Sequence, residues 1–305
     1  MKDIALGRTG TRISRLIYGC MRIVGDGSHD ARERGKRAIH AAVDAGYTAF
    51  DHADIYGGGE CERLFGEVLA ESPGLRDRLF IIGKCGIRFA GDTAPDAPKR
   101  YDFSAGHIVG SVDASLERLG IETLDLLLLH RPDYLFDPAE VAEVFRTLEA
   151  SGKVRFFGVS NCSPSQVELL ASAVDQPLVS NQVEINLHRI AALEDGTLDQ
   201  CQAEQILPQA WSPMAGAISE AWGNTFTADD QSRIDAELER QAGRYGTGKA
   251  NIALAWLLRH PASIAPIIGS TTPERIVDAV DALAIDYSRE DWYRLLEARN
   301  GSEVP

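Results

Sequence analysis

Three short segments of the chain hold an aspartate, a tyrosine, a lysine and a histidine whose types could together move a proton. Asp51 opens Asp51-His52-Ala53-Asp54-Ile55-Tyr56-Gly57, Lys84 ends an apolar run, and His130 stands in Leu-Leu-His-Arg-Pro-Asp. A tyrosine hydroxyl beside a lysine ammonium is a general acid, because the positive charge favours phenolate and draws the pKa below its usual value of about 10. Asp51 would hold that ammonium charged and in place, and His130 would hydrogen-bond and orient a substrate oxygen. The set has an acid, a charge that tunes it and a polar guide, but neither a nucleophile–base pair nor a metal cage. Each residue also has a plainer role. Asp51 could cap the following turn, Lys84 could be a solvated strand end, and His130 could be a satisfied core histidine. The fold decides between these roles by bringing the residues together or keeping them apart.

Short β-rich apolar runs alternate with amphipathic stretches along the whole chain. The predicted strands are Leu16–Cys20, Tyr47–Asp51, Leu79–Lys84, Leu124–His130, Val154–Ser160, Val179–Ile185, Leu207–Trp211 and Ala265–Gly269. Helical periodicity lies near 30–45, 60–71, 105–118, 138–151, 164–174, 196–205 and 249–259, with Pro273–Leu283 after the last strand. Strict alternation of strand and helix marks a parallel sheet, and eight units close a (β/α)₈ TIM barrel, an α/β fold that typically takes about 250 residues. The whole chain, 1–305, is expected to form this single barrel domain. An N-terminal hairpin over Asp3–Ile13 and two extra helices, over Thr227–Tyr245 and Ser288–Ala298, decorate it. Long connections at Gly86–Phe103 and Ser212–Phe226 are expected around the site. A doubly wound open sheet would carry a glycine-rich fingerprint after its first strand. Tyr18-Gly19-Cys20-Met21-Arg22 has none.

Within this barrel the polar residues are not scattered. Strand after strand is apolar until its C-terminal end, where Asp51, Lys84, His130, Ser160-Asn161, Trp211-Ser212 and Ser270 stand, with Gln182 inside the sixth strand. The C-terminal face is where side chains from different barrel strands converge into active sites. At the last strand, Gly269-Ser270-Thr271-Thr272-Pro273-Glu274-Arg275 leads into a helix. Thr272 is a candidate N-cap, Pro273 suits the first helical position, and a helix N-terminus offers N–H groups to an anion. Arg275 could add a planar fork for a phosphate.

Taken together, these segments resemble the aldo-keto reductase family, and within it the bacterial YdhF-like branch. The resemblance is carried by Asp51…Tyr56, Lys84 in Ile-Ile-Gly-Lys and His130 in Leu-Leu-Leu-Leu-His-Arg-Pro-Asp. Gly152-Lys153-Val154-Arg155…Gly158-Val159-Ser160-Asn161, Asn181-Gln182-Val183-Glu184 and Ile268-Gly269-Ser270 extend it. It runs from the hairpin to about Asp281, and its motifs are specific in combination. It implies reduction of an aldehyde or ketone, a small-molecule substrate, with Tyr56 protonating the carbonyl oxygen, Lys84 and Asp51 lowering its pKa, and His130 positioning the substrate. It also implies a cofactor site: Ser160, Asn161 and Gln182 on the nicotinamide carboxamide and Trp211 stacked on the ring. Asp51, Ser212 and Met214 would be further contacts, and Gly19 and Met21 would approach through backbone atoms. Ser270, Thr271, Thr272 and Arg275 would hold a 2′-phosphate, favouring NADPH over NADH. One departure bears on that preference: many members carry lysine where this chain has Gly269.

Composition narrows the alternatives. The 305 residues carry a formal charge of −14, from 45 acidic and 31 basic side chains, which argues against nucleic-acid or anionic-membrane partners. Cys20, Cys61, Cys85, Cys162 and Cys201 form neither a paired framework nor a CxxC site, so reduced thiols and a cytoplasmic setting are expected. No apolar run at the N-terminus suits a signal peptide, none elsewhere suits a membrane span, and no metal-ligand spacing occurs. Nothing in the sequence signals an oligomeric state. Gly243-Arg-Tyr-Gly-Thr-Gly-Lys249-Ala250 nearly spells a phosphate loop, but it ends in alanine and follows a helical pattern. Loop hydrogen bonding is the expected role of His52 and Asp54. Two other functions fit the same residues: a Schiff-base aldolase using Lys84, and a cofactor-binding sensor or interaction subunit on the same fold.

Overall fold

Successive side chains of a strand point to opposite faces, so a barrel strand divides its residues between the interior and the surrounding helices. The computed structural model describes residues 1–305 throughout. Its eight barrel strands are β1 (Ile17–Gly19), β2 (Ala49–Asp51), β3 (Phe80–Cys85), β4 (Leu124–Leu129), β5 (Val154–Ser160), β6 (Leu178–Glu184), β7 (Leu207–Trp211) and β8 (Ala265–Ile268). All pair in parallel and in chain order, and β8 pairs with β1 to close the barrel. Ile17, Ala49, Phe80, Ile82, Leu126, Leu128, Ala265 and Ile267 form one buried cluster inside it. Their neighbours Tyr18, Phe50, Ile81, Leu127, Leu129 and Ile268 belong to the larger cluster shared with the helices. Cys85, beside Lys84, faces that outer layer as well.

The expected hairpin is present, with Asp3–Ala5 antiparallel to Arg12–Ser14. Its Ile4, Leu6 and Ile13 join the interior cluster and so stopper the N-terminal end of the barrel. Each helix follows from local signals. In His29–Asp44, Ser28 accepts a hydrogen bond from the Ala31 N–H, and Ala31, Gly35, Ala38, Ile39 and Ala42 are buried at helical spacing. Pro164–Ala171 starts from a capping box between Ser163 and Gln166. The extra helices are Ala228–Tyr245 and Arg289–Asn300. They join around the buried carboxylate of Asp291, which takes hydrogen bonds from Arg240, Arg244, Tyr245 and Arg294.

Two predicted helices differ from the structure. The stretch 164–174 ends as a helix at Ala171. The stretch 196–205 is present as the helix Thr197–Glu204, preceded by a one-turn helix, Ala191–Glu194, with Gly196 at φ 85 between them. Pro273–Leu283 is α-helical only to Asp278 and continues as a 3₁₀ helix over Ala279–Ala284. The long connection after β3 folds partly on itself, with Ile87–Arg88 antiparallel to Arg100–Tyr101. The segment resembling a phosphate loop is a helix end at Tyr245, a left-handed Gly246 and the next helix start at Lys249.

Candidate active site

The ends of β2, β3 and β4 bring the expected chemistry together. Asp51 is the last residue of β2, Lys84 stands next to the end of β3, and His130 directly follows β4. Tyr56 begins a short turn in which Gly57, Gly58 and Gly59 have φ of 58, 65 and 93. Glycine adopts these left-handed values at no steric cost, and they turn the chain sharply into the helix Glu60–Glu71. Lys84 Nζ donates to Asp51 Oδ1 at 2.5 Å and to the His52 carbonyl at 2.8 Å, with both side chains of the ion pair buried. The same ammonium lies 5.0 Å from the centre of the Tyr56 ring. Tyr56 meets the His130 ring edge-on, with centres 6.0 Å apart. Four side chains from three segments therefore share one space.

Burial dominates the charges there. It lowers the Lys84 pKa, and Asp51 opposes that shift. His130 is held well below the usual imidazole range, first by burial and then by the Lys84 and Arg131 cations, so its ring is neutral at pH 7. Its Nδ1 is buried without a hydrogen-bond partner. Tyr56 departs from the expectation of an acidified phenol. Its pKa lies well above the usual value, through burial first and the Asp51 carboxylate next, while Arg131 opposes the shift. Burial is the main reason, and the Asp51 carboxylate, 2.5 Å from the ammonium, adds to it by offsetting the ammonium's field at the phenol. The phenol is thus fully protonated at neutral pH.

The His52 side chain also differs from the loop hydrogen bonding expected of it. The His52 ring makes no hydrogen bond, packs edge-on against Phe65, and is pushed down to about 3 by burial. Burial pushes Asp54 up to about 7.

A polar layer continues across the barrel. Gln182 Nε2 donates to Asp51 Oδ1 at 2.8 Å and to Gln209 Oε1 at 2.9 Å. Gln209 is fully buried, and its own Nε2 has no partner. Sequence reasoning passed over Gln209, although it stands two residues before Trp211 and so faces the same way on β7. Higher in the mouth, Ser160 Oγ donates to the Gln182 carbonyl, and Asn161 Nδ2 donates to Ser160 Oγ and the His130 carbonyl. Trp211 Nε1 donates to Asn161 Oδ1 at 3.0 Å, which fixes the indole. Arg131 lies over that indole, 5.4 Å from its centre, and was likewise passed over.

Asn161 and Ser212 have φ of 59 and 50. Left-handed backbone is uncommon outside glycine and clusters at functional sites. These two positions directly follow β5 and β7, next to the indole. Met214 is partly buried against the outer cluster, and Met21 is half exposed, its carbonyl accepting a hydrogen bond from the Cys61 thiol. Beyond β8, a side chain at Gly269 would meet nothing within 4 Å. Ser270 Oγ accepts from the Thr272 N–H, and the Ser270 carbonyl accepts from the Tyr18 hydroxyl. Thr272 occupies the N-cap position, but its side chain makes no capping bond. Thr271 is partly buried at the rim, and Arg275 is exposed there without an ion pair. A cavity of about 790 Å³ lies at the opposite end of the barrel, beneath the hairpin, and none of these residues lines it.

A model of the aldo/keto reductase family matches residues 15–300. The chain belongs to the aldo/keto reductase family. It is 42% identical over 298 residues to the oxidoreductase YcsN of Bacillus subtilis (strain 168), covering 96% of this chain and 97% of the relative. It is 41% identical to a 6-dehydroglucose reductase of Agrobacterium fabrum and 40% identical to the oxidoreductase YdhF of Escherichia coli (strain K12), in each case over the full length of both chains. The crystal structure of the thermostable aldo-keto reductase Tm1743 superposes with a TM-score of 0.83 at 27% identity, over 98% of this chain and 100% of that one. These likenesses bear out the family, the YdhF-like branch and the barrel expected from sequence. Aldo/keto reductases are oxidoreductases of carbonyl groups that use nicotinamide cofactors, so membership makes this chain an enzyme of that broad kind.

Proposed function

We propose that the chain reduces aldehydes or ketones to alcohols with NADPH, taking the proton from Tyr56. One observation carries the reading: Tyr56, His130 and the Lys84–Asp51 pair meet in one buried cluster at the C-terminal mouth of the barrel.

The residues around the mouth fit a nicotinamide dinucleotide. Gln182 Oε1 accepts no hydrogen bond within the chain, while its Nε2 is anchored by Asp51 and Gln209. That leaves an oriented acceptor for an amide N–H, beside Ser160 and Asn161. The fixed indole of Trp211 offers a flat face to an aromatic ring. Gly19, Met21, Ser212 and Met214 would complete the contacts. The open space at Gly269 and the unpaired Arg275, with Ser270, Thr271 and Thr272, suit the phosphate end. NADPH is preferred over NADH on that ground. The bound nicotinamide would supply the hydride.

The chain's own residues then do the rest. Neutral His130 donates a hydrogen bond to the carbonyl oxygen and holds it against the phenol. Tyr56, protonated at neutral pH, gives up its proton only as negative charge grows on that oxygen, which keeps the acid loaded until it is needed. The phenolate left behind lies beside the Lys84 ammonium and within the field of Arg131. Positioned general acids of this kind contribute about 10²–10⁴-fold in rate. Lys84 is poorly placed as a Schiff-base nucleophile, because its ammonium is held by Asp51 and by the His52 carbonyl. All five cysteines are buried free thiols, which supports a reducing, cytoplasmic setting.

Titration with NADPH and NADH, followed by a carbonyl panel that includes oxidised sugars, tests the reading. The 6-dehydroglucose reductase relatives support starting there. Tight NADPH binding with turnover is expected. NADPH binding without turnover across the panel would favour the sensor function. Borohydride trapping of Lys84 without dinucleotide binding would favour the aldolase.

A further inference from the structure

The cavity of about 790 Å³ at the N-terminal end of the barrel has the size of a small-molecule site, about 300–1,000 Å³. The hairpin, the end of the helix Lys249–Leu258 and the segment leading to Arg289–Asn300 wall it. Ile4, Leu258 and Leu283 give it apolar surface, and Lys2, Arg12, Arg15 and Arg259 stand around it. Every hydrogen bond of these four cations goes to a backbone carbonyl: Lys2 to Leu283, Arg12 to Asp3, Arg15 to Ser263 and Leu258, and Arg259 to Tyr287. None forms an ion pair, although Asp3 and Asp286 also line the cavity. Four cations against two carboxylates leave positive charge in excess, on a chain whose formal charge is −14. Arg15 is partly buried, and burial pulls its pKa down to about 10 with no carboxylate opposing the shift. Buried charges are ordinarily paired. The helix end at Leu258 offers roughly half a negative charge, less than the two guanidinium groups beside it carry. The Nε–H of Arg15 and both terminal nitrogens of Arg259 still have donors to spare. Ser263, whose carbonyl Arg15 holds, has φ 60, and strained backbone of this kind clusters at ligand sites.

We propose that this cavity is a second binding site, which takes a small organic dianion: a phosphate monoester or dicarboxylate on an apolar body. Guanidinium forks match the oxygens of either acid group. An inorganic anion would satisfy the cations but leave the apolar wall uncovered. A neutral apolar molecule would cover the wall and dehydrate unpaired charges, a loss on binding. The bound dianion would join the hairpin to the chain's C-terminal segments, so its binding stabilises the folded protein. The site lies at the opposite end of the barrel from the reaction and does not depend on it.

Calorimetric titration at about pH 8, where a phosphate monoester is doubly charged, tests this with phenyl phosphate, phthalate, inorganic phosphate and benzyl alcohol. One of the two aromatic dianions should bind at least about ten-fold more tightly than inorganic phosphate or benzyl alcohol, and should raise the melting temperature. Which of the two binds better identifies the acid group. Arg15→Met should weaken that binding at least about ten-fold, as expected when charged hydrogen bonds are lost. Arg259→Ala, at an exposed position, should weaken it as well while keeping the fold. Asp286→Asn, which removes an opposing charge, should tighten it. Arg275→Ala should leave it unchanged, because that guanidinium lies at the other end of the barrel. Absence of saturable binding of either dianion to the wild type would overturn the proposal. So would binding that persists unchanged in Arg15→Met and Arg259→Ala, or that is lost in Arg275→Ala instead.

Discussion

Lys84 and Asp51 stand on adjacent strands with Nζ and Oδ1 2.5 Å apart, both removed from solvent, and every other group of the site is arranged around that pair. Gln182 reaches across the barrel to the same carboxylate oxygen, and the Tyr56 ring lies against the ammonium. Removing one member strands the other. Lys84→Met should destabilise the protein by about 3–5 kcal/mol, because an uncompensated carboxylate stays buried. The double variant Asp51→Leu/Lys84→Met should regain most of that stability while staying inactive. Urea denaturation of the four proteins in the cycle measures it; a double variant no more stable than Lys84→Met would show that the pair is not the unit described.

Ser212 carries left-handed backbone at the end of β7, with φ 50. Glycine adopts that conformation freely, whereas a residue with a Cβ is strained there by about 1–2 kcal/mol. Ser212→Gly should therefore be as stable as the wild type or more so, while binding NADPH more weakly through loss of the hydroxyl. Thermal melting with and without NADPH reads both effects, and a clear drop in melting temperature without cofactor would contradict the strain argument.

At the phosphate end, Arg275→Ala should weaken NADPH by at least about ten-fold while changing NADH little, since the guanidinium fork is matched to a phosphate. A side chain at Gly269 meets nothing within 4 Å, so Gly269→Lys should fold normally and strengthen NADPH binding over NADH. Fluorescence titration with both dinucleotides decides; equal losses on NADPH and NADH in Arg275→Ala would move the 2′-phosphate elsewhere.

Asp54 gives stability a pH dependence. Burial, with the neighbouring Glu62, raises its pKa from the ordinary 3.8 to about 7 in the folded chain. A raised folded-state pKa means that the native state binds more protons than the unfolded one. The stabilisation is complete below about pH 4 and is lost as pH rises through about 7. That difference corresponds to at most about 4 kcal/mol. Asp54→Asn should flatten the decline in stability between pH 4 and 8, and an unaltered decline would assign it to another group.

Much of this was legible in sequence because barrel strands declare themselves twice, by apolar runs and by polar residues at one end. Asp51, Lys84 and His130 were found that way, and the Asp51–Tyr56 spacing with three glycines marked the loop above them. Other features depend on contacts between distant segments. Gln209 reads as a polar interruption in a strand until Gln182 is seen to donate to it from the neighbouring strand. The role of His52 turned out opposite to loop hydrogen bonding because the helix Glu60–Glu71 brings Phe65 against its ring. The raised pKa of Tyr56 was out of reach for the same reason: the sequence names the ammonium near the phenol, but not how deeply the phenol is buried or how closely the carboxylate covers the ammonium. Helix ends were least legible where a periodic run changes helix type, as Pro273–Leu283 does after Asp278.

The central claim is that the Tyr56 hydroxyl delivers the proton. Tyr56→Phe removes that oxygen alone and leaves the ring against Lys84 and His130. With NADPH and the best carbonyl substrate of the panel, kcat should fall by at least about 10²-fold while the NADPH dissociation constant stays within about two-fold of the wild type. A Tyr56→Phe variant that turned over at a comparable kcat would contradict the account.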